Sequence, residues 1–168
     1  ALHGDNVTTR SPHTPWYSGP TLMGYLETVP IPTATDQRFV FPVQCVNRPH
    51  SDFRGFSGTV ANGRVVVGSL VRITASGQTA GVNRIVTTGG DAPEALAGSA
   101  ITLVLDTEVD ASRGDILASA DAPLEMTDQF TATVIWMHED AGMVGRSYEL
   151  KLANQWAGAS LTSIKHRI

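Results

Sequence analysis

The segment from Arg38 to Thr74 constrains the fold more than any other part of the chain. It contains three apolar runs rich in valine, isoleucine and phenylalanine, separated by residues that favour turns. Such short runs are typical of adjacent antiparallel strands. The pair Asn62-Gly63 lies between two of the runs and is strongly preferred in a two-residue type I′ hairpin turn, where both residues need positive φ. We therefore predict a hairpin here, within a closed or nearly closed β-barrel.

Strand and turn signals continue through the rest of the chain. Ser76-Gly77 predicts a further turn, and Glu94–Leu96 predicts one helical turn. Residues 148–152 alternate apolar with charged side chains, as a half-buried strand does. The strands predicted after the first three runs cover residues 80–87, 101–105, 130–137, 148–152 and 156–166.

A short helix is predicted near the N-terminus, between Pro20 and Pro30. Apolar residues recur there at spacings of three and four, which fits an amphipathic helix. Pro20 suits a first helical turn, and Pro30 ends the helix because proline cannot continue it. The apolar positions are Leu22, Tyr25, Leu26 and Val29.

Composition argues against several classes of function. The net charge of −4 disfavours a general nucleic-acid binder, which normally carries a basic stripe. No run approaches the roughly 18 apolar residues of a membrane span, and no signal peptide is visible, so we expect a cytoplasmic protein without a membrane partner. The single cysteine, Cys45, excludes an internal disulfide and a multi-cysteine metal site, and its strand context favours a structural thiol.

No constellation of catalytic or metal-ligating residues emerges from the sequence. The five histidines lack metal-binding spacing. Asp106, Glu108 and Asp110 alternate, which predicts a solvated strand face in preference to a calcium site. Arg113-Gly114-Asp115 predicts a tight turn. No G-x-x-x-x-G-K-[ST] phosphate loop occurs. We therefore predict no catalytic, cofactor-binding or metal-binding residue in this chain.

The segment from Pro42 to Gly68 resembles the second domain of translation-factor-type GTPases. More narrowly, it resembles the GTP-dependent large subunit of sulfate adenylyltransferase, because Val46–Pro49 and Asp52–Gly55 both match that family. Cys45 departs from the family pattern, where a larger aromatic residue is expected, and so does His50-Ser51. Neither departure alters the predicted strands.

The resemblance implies an all-β chain: a translation-factor-like antiparallel β-barrel followed by a partial second β-barrel, with a short N-terminal helix. Residues 1–32 would be a remnant of the C-terminus of a GTPase domain with a linker helix. Residues 33–120 would form the β-barrel domain II, and residues 126–168 part of the β-barrel domain III. The open strand edges of a partial barrel predict that two chains pair into a homo-oligomer. The alternative is that the partial sheet packs on the first barrel or on the N-terminal helix.

The resemblance also implies a function for the complete enzyme. It makes adenosine phosphosulfate from ATP and sulfate, using GTP hydrolysis and Mg²⁺, and some members carry a fused adenylylsulfate kinase. The chemistry at ATP and sulfate belongs in that family to a separate small subunit. This chain would then be a non-catalytic region that couples the GTPase domain to that subunit.

Four charged residues are candidates for such an interface: Arg48, Asp52, Arg54 and Arg113. They lie on predicted loops, and loops on a rigid scaffold commonly carry contacts to other domains. A plain exposed loop is the alternative for these positions. For the whole chain, the alternatives are an RNA-binding barrel of a translation elongation or initiation factor and a free-standing barrel with its own small ligand.

The missing phosphate loop generates a direct test. Isothermal titration of the 168-residue chain with GTP, GDP or ATP is expected to give no binding isotherm, because no backbone cradle for phosphates is present. A 1:1 isotherm in the micromolar range for any of the three nucleotides would contradict this prediction.

Overall fold

The fold is built from short antiparallel strands, as the turn-rich sequence predicts. The computed structural model describes residues 3–30, 38–50 and 53–166. Residues 1–33 and 34–168 form two compact units. The elements are α1 (Leu22–Thr28), β1 (Val40–Asn47), β2 (Gly55–Thr59), β3 (Arg64–Val66), β4 (Leu70–Ile73), β5 (Thr79–Thr87), β6 (Gly90–Ala92), β7 (Glu94–Leu96), β8 (Ala100–Leu105), β9 (Ile116–Ser119), β10 (Ser147–Leu152) and β11 (Gln155–Ser160).

Six of these strands close into a barrel. Neighbours follow the order β4-β9-β1-β2-β8-β5, and β5 pairs again with β4, so the last strand meets the first. All of these pairings are antiparallel. The strand β6 extends the sheet beside β5, and β3 pairs with β7 in a separate ribbon. The predicted all-β barrel with one short N-terminal helix is confirmed.

The barrel interior is filled by alternate residues of its strands. Phe39, Phe41 and Val43 are buried, each at 3% exposure or less, whereas Gln44 and Cys45 both point outward. The pairing of β1 with β2 shifts register between Val43 and Cys45, as in a β-bulge. A bulge inserts one extra residue and so changes which side chains face inward. It returns the next apolar residue, Val46, toward the core.

One glycine is required by close packing inside the barrel. A Cβ atom at Gly58 in β2 would collide with the carbonyl oxygen of Pro42 and approach the ring of Phe41 within 3.1 Å. The Phe41 ring therefore lies over the glycine on the neighbouring strand and fills the space that a side chain would have taken. This contact explains the glycine within an otherwise strand-forming sequence.

The helix α1 forms where the apolar spacing predicts it. Its N-cap is Thr21, whose side-chain oxygen accepts a hydrogen bond from the amide of Gly24 at 3.1 Å. This bond satisfies one of the free amides of the first turn. In the part of the chain that the structure describes, no helix is long and apolar enough to span a membrane.

Residues 126–166 contain one hairpin, in which β10 pairs with β11. The predicted strand at 148–152 is confirmed, and the one predicted at 156–166 is shorter, ending at Ser160. The strand predicted at 130–137 is wrong, because these residues are not paired with another strand in the described structure. Trp136 instead packs edge-on against Tyr148 and donates from Nε1 to the carbonyl of Asp140 at 2.7 Å.

Two further local predictions are wrong. Asn62-Gly63 does not close a hairpin, because the strands on either side pair with different partners: β2 with β1 and β8, and β3 with β7. Only Gly63 of the two takes positive φ, at 66°. Glu94–Leu96 is the strand β7 and not a helical turn, because its pairing with β3 satisfies the backbone.

Gly63 still requires the left-handed backbone region. Replacing it with valine is expected to lower the free energy of unfolding by about 1–3 kcal/mol, because a β-branched residue is strained at positive φ. Asparagine tolerates this region better, so Gly63→Asn is the matched control with a smaller loss. Urea denaturation measures the loss of stability in both variants. An unchanged midpoint for Gly63→Val would contradict the positive φ of Gly63.

Candidate functional site

Two loops of the chain meet at one end of the barrel. Asn47 at the end of β1 pairs with Gly55 at the start of β2, and Gly55 also pairs with Val104 near the end of β8. The β1–β2 loop and the segment that follows β8 are therefore neighbours. We call this end, formed by residues 48–50, 53, 54 and 106–115, the rim.

Glu108 joins the two loops of the rim. Its Oε1 atom lies 3.4 Å from Nη2 of Arg48 and 3.4 Å from Nη1 of Arg54. The Glu108 side chain is 79% exposed and that of Arg48 is 55% exposed, whereas that of Arg54 is only 22% exposed. The two arginines therefore share one carboxylate but differ in their access to solvent.

Arg54 is committed to the barrel. Its Nη2 donates to the carbonyl oxygen of Ala111 at 3.0 Å, and its guanidinium lies 5.2 Å from the centre of the Phe56 ring, a cation–π distance. Its Nε atom is buried and has no hydrogen-bond partner among the described residues. Because Ala111 itself is buried, Arg54 fixes the position of the segment after β8.

Arg48 is held much more loosely. An exposed ion pair contributes about 0–1 kcal/mol, because water competes for both charges and ordering two long side chains costs entropy. Its interaction with Glu108 can therefore be exchanged for one with another molecule at little cost. The same holds for Glu108, which is the more exposed of the two.

The acidic run after β8 does alternate, as predicted, but it is not a strand. Val109 and Ala111 point into the core, whereas the acids Asp106, Glu108 and Asp110 are exposed. Asp106 accepts from the amide of Gly81 at 2.8 Å, and the amide of Asp110 donates to Oε1 of Gln78 at 2.8 Å. Within residues 3–30, 38–50 and 53–166, no group of three or more potential ligands could hold a metal ion.

The other predicted site residues take different positions. Arg113 lies exposed in a turn after β8, in which the amide of Ser112 donates to Oδ2 of Asp115 at 2.8 Å. The predicted tight turn at 113–115 is therefore present, and Gly114 takes φ 99°. Asp52 lies outside the described residues. Cys45 is an exposed thiol that donates to Oδ1 of Asn47 at 3.4 Å.

A second charged pair lies on the outer face of β5 and β6. Arg84 donates to both carboxylate oxygens of Asp91, at 3.0 and 2.9 Å. These hydrogen bonds lower the pKa of Asp91 and raise the pKa of Arg84. Since the folded pKa of Asp91 lies below its unfolded value, the pair stabilises the fold above that unfolded value, about pH 3.9, and loses this effect as the pH falls through the lowered pKa.

An open groove of about 830 Å³ lies at the opposite end of the barrel, lined in part by Arg38, Asn62 and Arg64. Arg64 is 63% exposed and lies 4.0 Å from Glu94. This arginine is thus a counterpart of Arg48: an exposed cation with one glutamate beside it, but away from the rim.

Sequence reasoning selected the rim arginines but missed their partners. The alternation of Glu108 with its acidic neighbours indicates which face it is on, but not which loop approaches that face. The cation–π contact of Arg54 with Phe56 was available from the sequence, since the two residues are two apart at a strand start and so share a face.

A search for similar sequences gives a clear relative. The chain is 50% identical over 169 residues to the bifunctional enzyme NodQ of Rhizobium sp. (strain N33). The alignment covers all of this chain and 26% of NodQ. The chain therefore spans about a quarter of the length of this curated relative and is a homologue of that part of it. No protein-family model matches the chain.

Similar solved structures come from translation factors. The elongation factor SelB of Methanococcus maripaludis, in complex with the GTP analogue GppNHp, matches 82% of this chain and 31% of its own, with a TM-score of 0.67 and 21% identity. Sup35 complexed with GMPPNP matches 93% of this chain and 44% of its own, with a TM-score of 0.53 and 19% identity. At these identities the likeness shows the fold, which is that of translation-factor β-barrel domains.

The different roles of the two arginines can be separated by stability measurements. Arg54→Ala is expected to lower the free energy of unfolding by about 1–3 kcal/mol, because it removes the charged donor to Ala111 and the contact with Phe56. Arg48→Ala is the matched control, with a change within about 0.5 kcal/mol. Equal losses in urea denaturation would contradict this division.

Proposed function

We propose, from its homology to one quarter of a NodQ enzyme, that the chain is the β-barrel region of a GTP-dependent sulfate adenylyltransferase large subunit. In this role it carries no catalytic group. It couples the hydrolysis of GTP in a neighbouring GTPase domain to the synthesis of adenosine phosphosulfate from ATP and sulfate, which the small subunit carries out.

The observation that carries this proposal is the combination of sequence and fold. The identity of 50% extends over the whole chain and is matched by the barrel fold of GTP-dependent translation factors. Val46–Pro49 and Phe53–Gly55, which carry much of the resemblance, lie in or beside the rim. The bifunctional description of NodQ also fits a family in which some members carry a fused adenylylsulfate kinase.

The rim is the part of this barrel best suited to the coupling contact. Arg48 and Glu108 are exposed and carry opposite charges; within the described residues Arg48 binds Glu108, and Glu108 binds both Arg48 and Arg54. Arg113 adds an exposed cation on the same segment as Glu108. Docking of an acidic surface of the GTPase domain onto Arg48 and Arg113 would replace weak ion pairs, while Arg54 keeps the underlying backbone in place.

GTP, Mg²⁺ and ATP belong, in this proposal, to the GTPase domain and the small subunit. The alternative, an RNA-binding barrel of a translation factor, is less well supported. The chain carries a net charge of −4, and phosphate binding would call for a basic surface. Tight, salt-sensitive retention of tRNA in a filter-binding assay would favour that alternative.

Charge reversal at the rim tests the coupling role in the complete enzyme assembled with its small subunit. Arg48→Glu and Arg113→Glu are expected to reduce the stimulation of adenosine phosphosulfate synthesis by GTP roughly five- to tenfold, because repulsion replaces attraction at the docking surface. The basal rate of GTP hydrolysis by the GTPase domain is expected to stay unchanged.

Arg64→Glu is the matched control, because Arg64 has similar exposure and one glutamate neighbour but lies at the other end of the barrel. Full coupling in all three variants would show that the rim is not the coupling surface. A complete enzyme that makes no adenosine phosphosulfate, with or without GTP, would refute the proposed activity itself.

A further inference from the structure

The tip of the β10–β11 hairpin is strained. The hairpin turns through Ala153 and Asn154, and Ala153 takes φ 51°. An alanine in the left-handed region is disfavoured, because its Cβ approaches the following carbonyl oxygen. Strain of this kind persists where surrounding contacts hold the backbone in place.

Asn154 supplies one such contact. Its Nδ2 atom donates to the carbonyl oxygen of Val43 at 3.5 Å, across 111 residues of sequence. The same carbonyl accepts the amide of Gly114 at 2.9 Å. Among the described residues, the bond from Asn154 to Val43 is the hydrogen bond that joins residues 126–166 to the barrel. It reaches β1 at the start of its bulge, between Val43 and Cys45.

Gln155 supplies a second contact, next to the first. A Cβ atom at Gly114 would lie 2.8 Å from Cγ and 3.0 Å from Nε2 of Gln155. Gly114 is buried, although it lies in a turn between two exposed residues and a half-buried one. The side chain of Gln155 therefore covers the glycine, and the absence of a side chain at position 114 makes room for the hairpin tip.

We propose that the hairpin tip is a latch, in which Asn154 and Gln155 hold the C-terminal hairpin against the barrel at Val43 and Gly114. With the latch closed, the hairpin has one orientation relative to the barrel. With the latch open, the hairpin stays folded but swings about residues 121–130, because Ala120 is bonded to the barrel and the segment from Thr131 onward contacts the hairpin and the residues that follow it. One long hydrogen bond and one packing contact make a weak attachment, so opening is accessible to the folded protein.

Gly114→Ala tests the latch from the barrel side and leaves the hairpin sequence intact. Its methyl group would occupy the space of Gln155. Gly98→Ala is the matched control, since Gly98 has a similar φ of 89° but nothing within 4 Å of its Cβ position. Both variants thus carry similar backbone strain, but only the new methyl group at position 114 would contact the hairpin, at Gln155.

The readout is the distance between spin labels at Asn83→Cys on the barrel and Ser147→Cys on the hairpin, in a Cys45→Ser background. A single narrow distance population is expected for the parent chain and for Gly98→Ala, and a broad one for Gly114→Ala. Adding Gln155→Ala to Gly114→Ala is expected to narrow the distribution only in part, because it removes the collision but also the packing contact of Gln155.

Amide hydrogen exchange provides an independent measurement. The Gly114 amide, bound to Val43 and covered by Gln155, is expected to exchange roughly tenfold faster or more in Asn154→Ala/Gln155→Ala, because both parts of the latch are lost. Gln129→Ala is the control. The barrel amide of Val82, which donates to Ser69 at 2.9 Å, is expected to keep its rate.

Three outcomes would overturn the proposal. The first is an unchanged distance distribution in Gly114→Ala. The second is equal broadening in Gly114→Ala and Gly98→Ala, which would assign the effect to backbone strain. The third is loss of the cross-strand contact between Glu149 and Gly158 in Gly114→Ala, because a latch orients a hairpin that is already folded.

Discussion

The pairing of β4 with β5 is the constraint on which the rest of the barrel depends. It joins the first and last strands of the sheet, so that both have a hydrogen-bonded neighbour on each side. Closure leaves six strands without a free edge and encloses one interior. That interior is filled by residues such as Phe41, Ile73, Ile85 and Leu103, all at 0% exposure. The core of the barrel is therefore made of closely packed apolar side chains.

Closure also fixes what the loops at each end can do. The β1–β2 loop and the segment after β8 arise from neighbouring strands, so their relative position is set by the register of the sheet. Arg54 adds a specific bond between them, with Ala111 as acceptor and Phe56 as the stacking partner. A rigid base of this kind leaves the outer charges, Arg48 and Glu108, free for an exchangeable contact, which is the physical basis of the proposed coupling surface.

The sequence predicted the barrel well and its individual turns less well. The strands at 80–87 and 101–105 and the glycine turns at Gly77 and Gly114 are set by local residue type, and local rules found them. The prediction of a hairpin at Asn62-Gly63 is wrong because the sequence of a turn does not determine which strands pair. In this fold β2 and β3 each pair with other strands. The segment at 130–137 failed for a related reason: residues that favour strands form one only when a partner is present. For the site, charge and loop position point to Arg48 and Arg54, but their shared carboxylate, Glu108, comes from another loop, 60 and 54 residues further along the chain.

The bulge in β1 has a mechanical consequence. On one side of β1, Val40–Pro42 pairs with β9; on the other side, Val43 and Cys45–Asn47 pair with β2. Val43 lies at the junction, and its carbonyl receives both Gly114 and the side chain of Asn154. A pulling force on the C-terminal hairpin would therefore enter the barrel at Val43, which has a bonded neighbour on each side: Gly58 of β2 and the turn at Gly114 and Asp115. The load would divide between the strand pairing of β1 with β2 and that of β1 with β9, and would not separate a single strand from the edge of a sheet. The single residue that corrects the inward alternation of β1 thus also places the attachment of the hairpin at a point where tension is shared.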